Sequence, residues 1–454
     1  MRVHFIAIGG SAMHNLAIAL HKKGYQVSGS DDEIFDPAKS RLEKHGLLPE
    51  SVGWNPEKIT DDIDAVILGM HARKDNPELL KAMELGLKIY SYPEYIYTQS
   101  KNKKRVVIGG SHGKTSITSM VLHVLKNLGK DFDFMVGAQI QGFDVMVQLS
   151  DAPVIILEGD EYLSSPLDLR PKFFWYWPHV AVLTGIAWDH INVFPTFENY
   201  VQQFEKFIDT IEPGGQLFYY KHDDNLVKIA GRNPRISVTG YDLPEYEIRN
   251  GVTYLMHKDK TYPLHVFGKH NLQNICAAWN VCKALDIKDE DFLTHIQSFK
   301  GAGKRLEKIA ENANLTVFKD FAHSPSKLKA TTQAVKEQFP DKELIAVMEL
   351  HTFSSLNKNF LSEYKNSMIQ ADKAFVYYNP HTIAHKRLEQ ISPQEVKQAF
   401  GGDNLQVFQD SNALFRYIEE LPLRNSVLLI MSSGNFNGVN IDEFARQLIN
   451  THND

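Results

Sequence analysis

Val106-Val107-Ile108-Gly109-Gly110-Ser111-His112-Gly113-Lys114-Thr115-Ser116 decides how this 454-residue chain is read. A β-branched run meets two glycines, and Gly-Lys-Thr then leads into a helical pattern over residues 117–128. Strand, glycine-rich loop and helix in that order make a phosphate-binding loop. Glycines let backbone N–H groups converge on an anion, and the helix N-terminus adds its positive dipole end. In this reading Gly110, Ser111, His112, Gly113 and Ser116 wrap the phosphates. Lys114 reaches the β- and γ-phosphates, and the Thr115 hydroxyl meets Mg²⁺. The strict pattern asks for glycine where Ile108 stands. Taken alone, the stretch is therefore equally compatible with an ordinary strand–turn–helix.

Downstream features tip that balance. The buried-strand run Val154-Ile155-Ile156-Leu157 ends in Glu158-Gly159-Asp160-Glu161. Carboxylates at the C-terminal end of a strand beside a phosphate loop are where Mg²⁺ is expected. A second apolar run, 180–183, leads to Trp188-Asp189-His190. A histidine after a strand is ordinarily structural; in this company His190 is a candidate metal or water ligand. Phe267-Gly268-Lys269-His270-Asn271-Leu272-Gln273-Asn274 leads into a helix over 275–285. If that turn is already helical, Asn271 and Asn274 share a face. They are placed either to read a purine edge or to cap the helix.

The flanking regions repeat the alternation of strand and helix. Strand 3–8 passes through Gly9-Gly10-Ser11-Ala12 into a helix over 13–23; strand 26–28 ends at Ser30-Asp31-Asp32, and strand 65–68 runs into Gly69-Met70-His71. The opening is close to the dinucleotide fingerprint, but Ala7 and Ala12 replace two of its glycines, so a Rossmann-like domain without nicotinamide is expected. Strands at 315–318, 344–348, 374–378 and 427–431 alternate with helices such as 326–338 and 411–421. The fold class is α/β, with three domains over 1–101, 102–297 and 298–454. They are expected to be Rossmann-like, P-loop ATPase-like and Rossmann-like in turn, with a glycine-flanked hinge before Lys304-Arg305 and a frayed tail at 450–454.

Composition sets outer limits. Hydrophobic residues make up 43% and charged residues 23%, ordinary values for a globular chain. The net charge of −6 argues against nucleic acid as a partner. Cys276 and Cys282 fall in one helical stretch and read as reduced core thiols. The apolar opening is too short for a signal-peptide core, and no run reaches the length of a membrane span. A cytoplasmic monomer without membrane insertion is expected.

Taken in order, these residues resemble the Mur ligase family, the ATP-dependent amino acid and peptide ligases of bacterial cell-wall assembly. The resemblance rests on Gly-Gly-Ser-Ala-Met at the start, Gly-Ser-His-Gly-Lys-Thr-Ser, Glu158, Asp189-His190, His270-Asn271 with Asn274, Lys304-Arg305-Leu306-Glu307, and Asp320-Phe321-Ala322-His323-Ser324-Pro325. It implies ATP and Mg²⁺ as cofactors. Lys114, Glu158, His190 and Arg305 would be catalytic, and Thr115, Glu158 and His190 would hold metal. Asn271, Asn274, Arg305 and Asp320 would join the loop in binding ATP, Arg305 and Asp320 completing the site when the third domain closes. Gly9, Gly10, Ser11, Asp31 and His71 would bind the UDP-sugar. A carboxylate would take the γ-phosphoryl group, and an amine would then displace phosphate from the acyl phosphate. Lys206, which some members carbamoylate, is expected to stay an unmodified surface residue.

The N-terminal domain resembles the branch that uses UDP-N-acetylmuramate. Asp160-Glu161-Tyr162, Asp168-Leu169-Arg170-Pro171-Lys172-Phe173 and Tyr176-Trp177-Pro178 resemble members that add the tripeptide L-alanyl-γ-D-glutamyl-meso-diaminopimelate. His351 instead matches the members that add L-alanine. The expectation is a tripeptide amine, L-alanine being the alternative. His351, His381 and Arg387 would meet it, with Lys358, His385, Lys386, Asn435 and Asn437 as further candidates for a peptide's carboxylates.

Overall fold

The computed structural model describes residues 1–188, 193–303 and 305–451. Asp189, His190, Lys304 and the end of the tail lie outside the described residues. The chain divides into one unit of Met1–Asp242 with Gln273–Ile296 and another of Leu243–Leu272 with Gln297–Asp454. Three α/β sheets carry the fold.

The first unit holds two of them. A four-stranded parallel sheet runs in the order Gln26–Ser30, Arg2–Ile6, Ala65–Leu68, Ile89–Ser91. A seven-stranded sheet runs Ser237–Tyr241, Gln216–Tyr220, Val180–Leu183, Lys104–Gly109, Val154–Glu158, Asp133–Met135, Val147–Gln148, parallel except for the last pair. In each sheet the strand before a glycine loop is central, and the chain leaves it toward both sides. Ligands of open α/β sheets bind at that switch point. Inner strands such as Ala65–Leu68 and Val180–Leu183 are short apolar runs buried on both faces, as parallel sheets require. Around the central sheet Phe173 stacks on Phe207 at 4.5 Å, and Tyr200 and Phe204 pack beside them.

The second unit holds a six-stranded sheet in the order Glu307–Glu311, Leu315–Asp320, Ser426–Met431, Glu343–Leu350, Lys373–Tyr378, Leu405–Phe408, parallel but for the first pair. Along Glu343–Leu350 the side chains alternate between two cores. Leu344, Ala346 and Met348 enter one, and Ile345 and Val347 the other. Its remaining sheet is antiparallel: Tyr246–Arg249, Val252–His257, Lys260–Leu264. Nothing in the alternation of strand and helix anticipates it.

Helices begin earlier than their apolar periodicity suggests: Ser11–Lys22, Lys114–Asn127 and Lys269–Ala284. In each the opening turn is polar or small, so the apolar repeat starts late. Cys276 and Cys282 are free thiols on the last of these helices. Lys206 is exposed on Phe197–Asp209, whose buried face is Tyr200, Gln203, Phe204, Phe207 and Ile208. No helix among the described residues is long and apolar enough to cross a membrane.

Candidate active site

Strand Lys104–Gly109 ends where the glycines begin. Gly110 and Gly113 take φ of +118° and +78°, left-handed values that L side chains avoid. Space is closed at both: a Cβ on Gly110 would overlap Thr184, and one on Gly113 would overlap the Asn274 amide. Thr184 in turn donates its hydroxyl to the His112 carbonyl. The loop is thus pinned from one neighbouring strand end and from the helix that carries Asn274.

Register supplies the acid. Ile108 pairs with Glu158, so the carboxylate leaves its strand beside the loop. The Thr115 hydroxyl donates to Glu158 Oε1 at 2.9 Å, and the Gly137 N–H donates to Oε2 at 2.9 Å. Lys114 Nζ donates to the Gly110 carbonyl at 2.8 Å and to Glu161 Oε2 at 2.7 Å. Burial works to lower the lysine's pKa, but Glu161, Asp160 and Glu158 outweigh it, and the net shift is upward. The ammonium stays charged. Burial likewise works to raise the Asp160 carboxyl, but Lys172, bonded to it at 2.6 Å, and Lys114 hold it below the usual carboxylate range. The structure therefore brings Gly110–Gly113, Lys114, Thr115, Glu158 and Asn274 into one site.

The first sheet has its own loop. Arg2–Ile6 leads to Gly9 and Gly10, and the paired strands deliver Asp31 and His71 to the same edge. The Gly9 N–H donates to Asp31 Oδ2 at 2.7 Å. Burial pushes the Asp31 carboxyl up to about 6 against the pull of the Gly9 and Asp32 N–H groups. Ser11 opens the helix and His71 is exposed. His14, which the motif reading missed, is buried, with Nδ1 2.9 Å from the Gly10 carbonyl.

In the second unit, Asn271 donates its side-chain amide to the Phe267 carbonyl, four residues back, at 2.9 Å. Asp320 is buried and accepts from Ala322 N–H at 2.9 Å and from the Thr331 hydroxyl at 3.2 Å. Burial raises its pKa although Arg305 pulls the other way, and the Arg305 guanidinium lies over the Phe321 ring at 4.9 Å. A cavity of about 210 Å³ opens beside Asp320, lined also by Lys319, Ser432, Gly434 and Asn435. His351 and His381 follow adjacent paired strands. His351 Nδ1 lies 3.7 Å from Glu349, and His381 lines a cavity of about 310 Å³ with Tyr377, Asn379, Gln409 and Asn437. Arg387 is exposed beyond Pro380–His385.

Glu161 and Tyr200 are the site residues that motif reading left without a role. Glu161 stands in an acidic run that flags it; Tyr200 has no local signal, being one aromatic among several on an amphipathic helix.

Three family models tile the chain. The Mur ligase family catalytic domain matches residues 2–104, the Mur ligase middle domain 108–282, and the Mur ligase glutamate ligase domain 304–434. A UDP-N-acetylmuramate–L-alanine ligase from Clostridium kluyveri is 31% identical, with 95% of each chain covered. One from Carboxydothermus hydrogenoformans is 28% identical over 97% of this chain and 95% of its own. A solved UDP-N-acetylmuramate–alanine ligase from Thermotoga maritima superposes with a TM-score of 0.71 at 22% identity, covering 99% of this chain and 98% of its own.

The tripeptide expectation does not survive these relatives, which are named for L-alanine. The segment that suggested it has another explanation. Lys172 pairs with Asp160, and Arg170 pairs with Asp168 at 2.9 Å while lying over Trp175 at 4.4 Å. Its charges satisfy one another and report how the loop folds. Lys358, a candidate for a peptide carboxylate, is held by Glu389 at 2.8 Å and Glu395 at 2.9 Å.

Proposed function

The chain belongs to the Mur ligase family, and from that premise we propose that it joins the carboxylate of UDP-N-acetylmuramate to L-alanine. It is an ATP-dependent, ADP-forming C–N ligase, as members of this family are. The observation that most supports the choice of amine is the match to L-alanine ligases along nearly the full length of both chains.

Under this proposal residues 1–101 bind UDP-N-acetylmuramate, 102–297 bind ATP and 298–454 bind the amine. The glycine-rich loop and the Lys114 ammonium receive the phosphates, while the Ser111 N–H stays bonded to the Gly185 carbonyl at 3.0 Å. Lys114 then stabilises the charge that spreads over the transferring phosphoryl group, in a site already organised before substrate arrives. Asn271, Asn274, Arg305 and Asp320 complete the nucleotide site. At the substrate end, Gly9, Gly10, Ser11, Asp31 and His71 address the UDP-sugar. His351, His381 and Arg387 are the donors proposed for the amino acid carboxylate.

Thr115 and Glu158 fit a magnesium ion. Both offer hard oxygen atoms, and they already lie within hydrogen-bond distance of each other. Among the described residues no three His, Cys, Asp or Glu side chains cluster as a metal cage. Mg²⁺ is commonly held by one or two protein oxygens, with phosphate and water filling the shell. When bound, it would neutralise phosphate charge. His190, proposed as a further ligand, lies outside the described residues.

The test is ADP release by the full chain. Release should require UDP-N-acetylmuramate and L-alanine together. Release that is indifferent to UDP-N-acetylmuramate would reject the proposal.

A further inference from the structure

A chain of hydrogen bonds runs behind the phosphate loop. Lys114 Nζ donates to Glu161 Oε2 at 2.7 Å, and the Tyr200 hydroxyl donates to Glu161 Oε1 at 2.9 Å. Ser111 Oγ lies 3.0 Å from the Tyr200 hydroxyl and accepts the Ala187 N–H at 2.8 Å. Glu161 is 1% exposed and Tyr200 is fully buried. A carboxylate accepts only, so its place at the end fixes the direction of both hydroxyls. Tyr200 must donate to Glu161, and Ser111 must donate to Tyr200. Two members, Ser111 and Lys114, belong to the phosphate loop itself.

We propose that Glu161, held by Tyr200 and Ser111, is a positioning residue that parks the Lys114 ammonium and surrenders it to incoming phosphates. This rests on the reading of the loop as an ATP site. A buried carboxylate within bonding distance of the ammonium competes with a phosphate for it and repels the phosphate as well. It therefore lowers nucleotide affinity. The same carboxylate stops a long, flexible side chain from sampling other rotamers, so that the charge is in place when the phosphoryl group moves. Asp160 cannot readily stand in, because Lys172 occupies it at 2.6 Å. Glu161 thus trades affinity for placement, and Tyr200 acts through it.

The roles separate on two readouts. ADP affinity, measured by calorimetry without UDP-sugar or amine, should tighten about tenfold in Glu161→Gln, while kcat falls by about tenfold or more. Tyr200→Phe should move both in the same directions by less. The double variant should match Glu161→Gln alone, because the Tyr200 hydroxyl meets Lys114 through Glu161. Unchanged or weaker ADP binding in Glu161→Gln, or additive effects in the double variant, would overturn the proposal. Should Glu161→Gln fail to fold, Tyr200→Phe carries the same split, and its absence there overturns the proposal equally. The ADP arm is independent of the amine. A wild-type protein that ignores L-alanine yet shows the split would contradict the proposed substrate and leave Glu161's role standing.

Discussion

Two glycine loops in this chain share one plan and differ in what fills them. Arg2–Ile6 leads through Gly9 and Gly10 into Ser11–Lys22, and Lys104–Gly109 leads through Gly110 and Gly113 into Lys114–Asn127. Both strands are central in parallel sheets, and both loops end at a helix N-terminus. The generic part of an anion site is therefore present twice. In the second loop the helix opens with Lys114, and Thr115 faces Glu158. In the first, the Gly9 N–H already serves the Asp31 carboxylate. A carboxylate there is an acceptor for hydroxyl donors, the groups that the sugars of a nucleotide-sugar offer. Backbone geometry makes a ligand site possible, and the side chains beside it select the ligand.

Substitutions should break the two loops in different ways. Lys114→Ala should have the largest effect, a loss of about 10²–10³-fold in kcat with the fold retained. Steady-state kinetics with circular dichroism would check it, and near wild-type turnover would return the loop to a plain strand–turn–helix. Glu158→Ala comes next. It should raise the Mg²⁺ concentration needed for half-maximal activity by about tenfold, read from a magnesium titration of ADP release.

Asp31→Asn should have the smallest effect and should show in stability. With its pKa raised to about 6 by burial, Asp31 keeps a proton in the folded chain that the unfolded chain gives up near pH 4. That contribution is complete below the unfolded pKa and is lost as pH rises through 6. The thermal midpoint of wild type should therefore fall between pH 5 and pH 7 by about 2–4 °C more than that of Asp31→Asn. Equal falls in the two proteins would mean that Asp31 does not titrate there.

How much of this was legible in the sequence depends on where the signal lies. Strands buried on both faces are continuous apolar runs, and Ala65–Leu68 and Val180–Leu183 end where those runs end. The antiparallel sheet is half solvated, with Glu247, Arg249 and Lys260 in its strands, so its apolar signal is weak. Its one clear local mark is Asn250-Gly251, a two-residue hairpin turn with φ of +50° and +71°. Lys114, Thr115 and Glu158 were readable because a loop motif and a strand end announce them locally. Tyr200, Thr184 and the Gly137 N–H reach the site through tertiary folding, which no local pattern encodes. The tripeptide expectation came from the segment over 160–178, whose Lys172 and Arg170 pair with Asp160 and Asp168 within the same loop. Charges clustered after strands also look like a binding site, but Lys358 is already held by the carboxylates of Glu389 and Glu395.

The proposed enzyme pairs an ATP-loaded phosphate loop with a small amino acid as the amine. The most direct measurement is kcat/KM for L-alanine and for L-alanyl-γ-D-glutamyl-meso-diaminopimelate, each with the same UDP-N-acetylmuramate and ATP. Discrimination between substrates lives in that ratio. It should favour L-alanine by about tenfold or more, with UDP-N-acetylmuramyl-L-alanine as the product seen by mass spectrometry. A ratio that favours the tripeptide would contradict the proposed substrate.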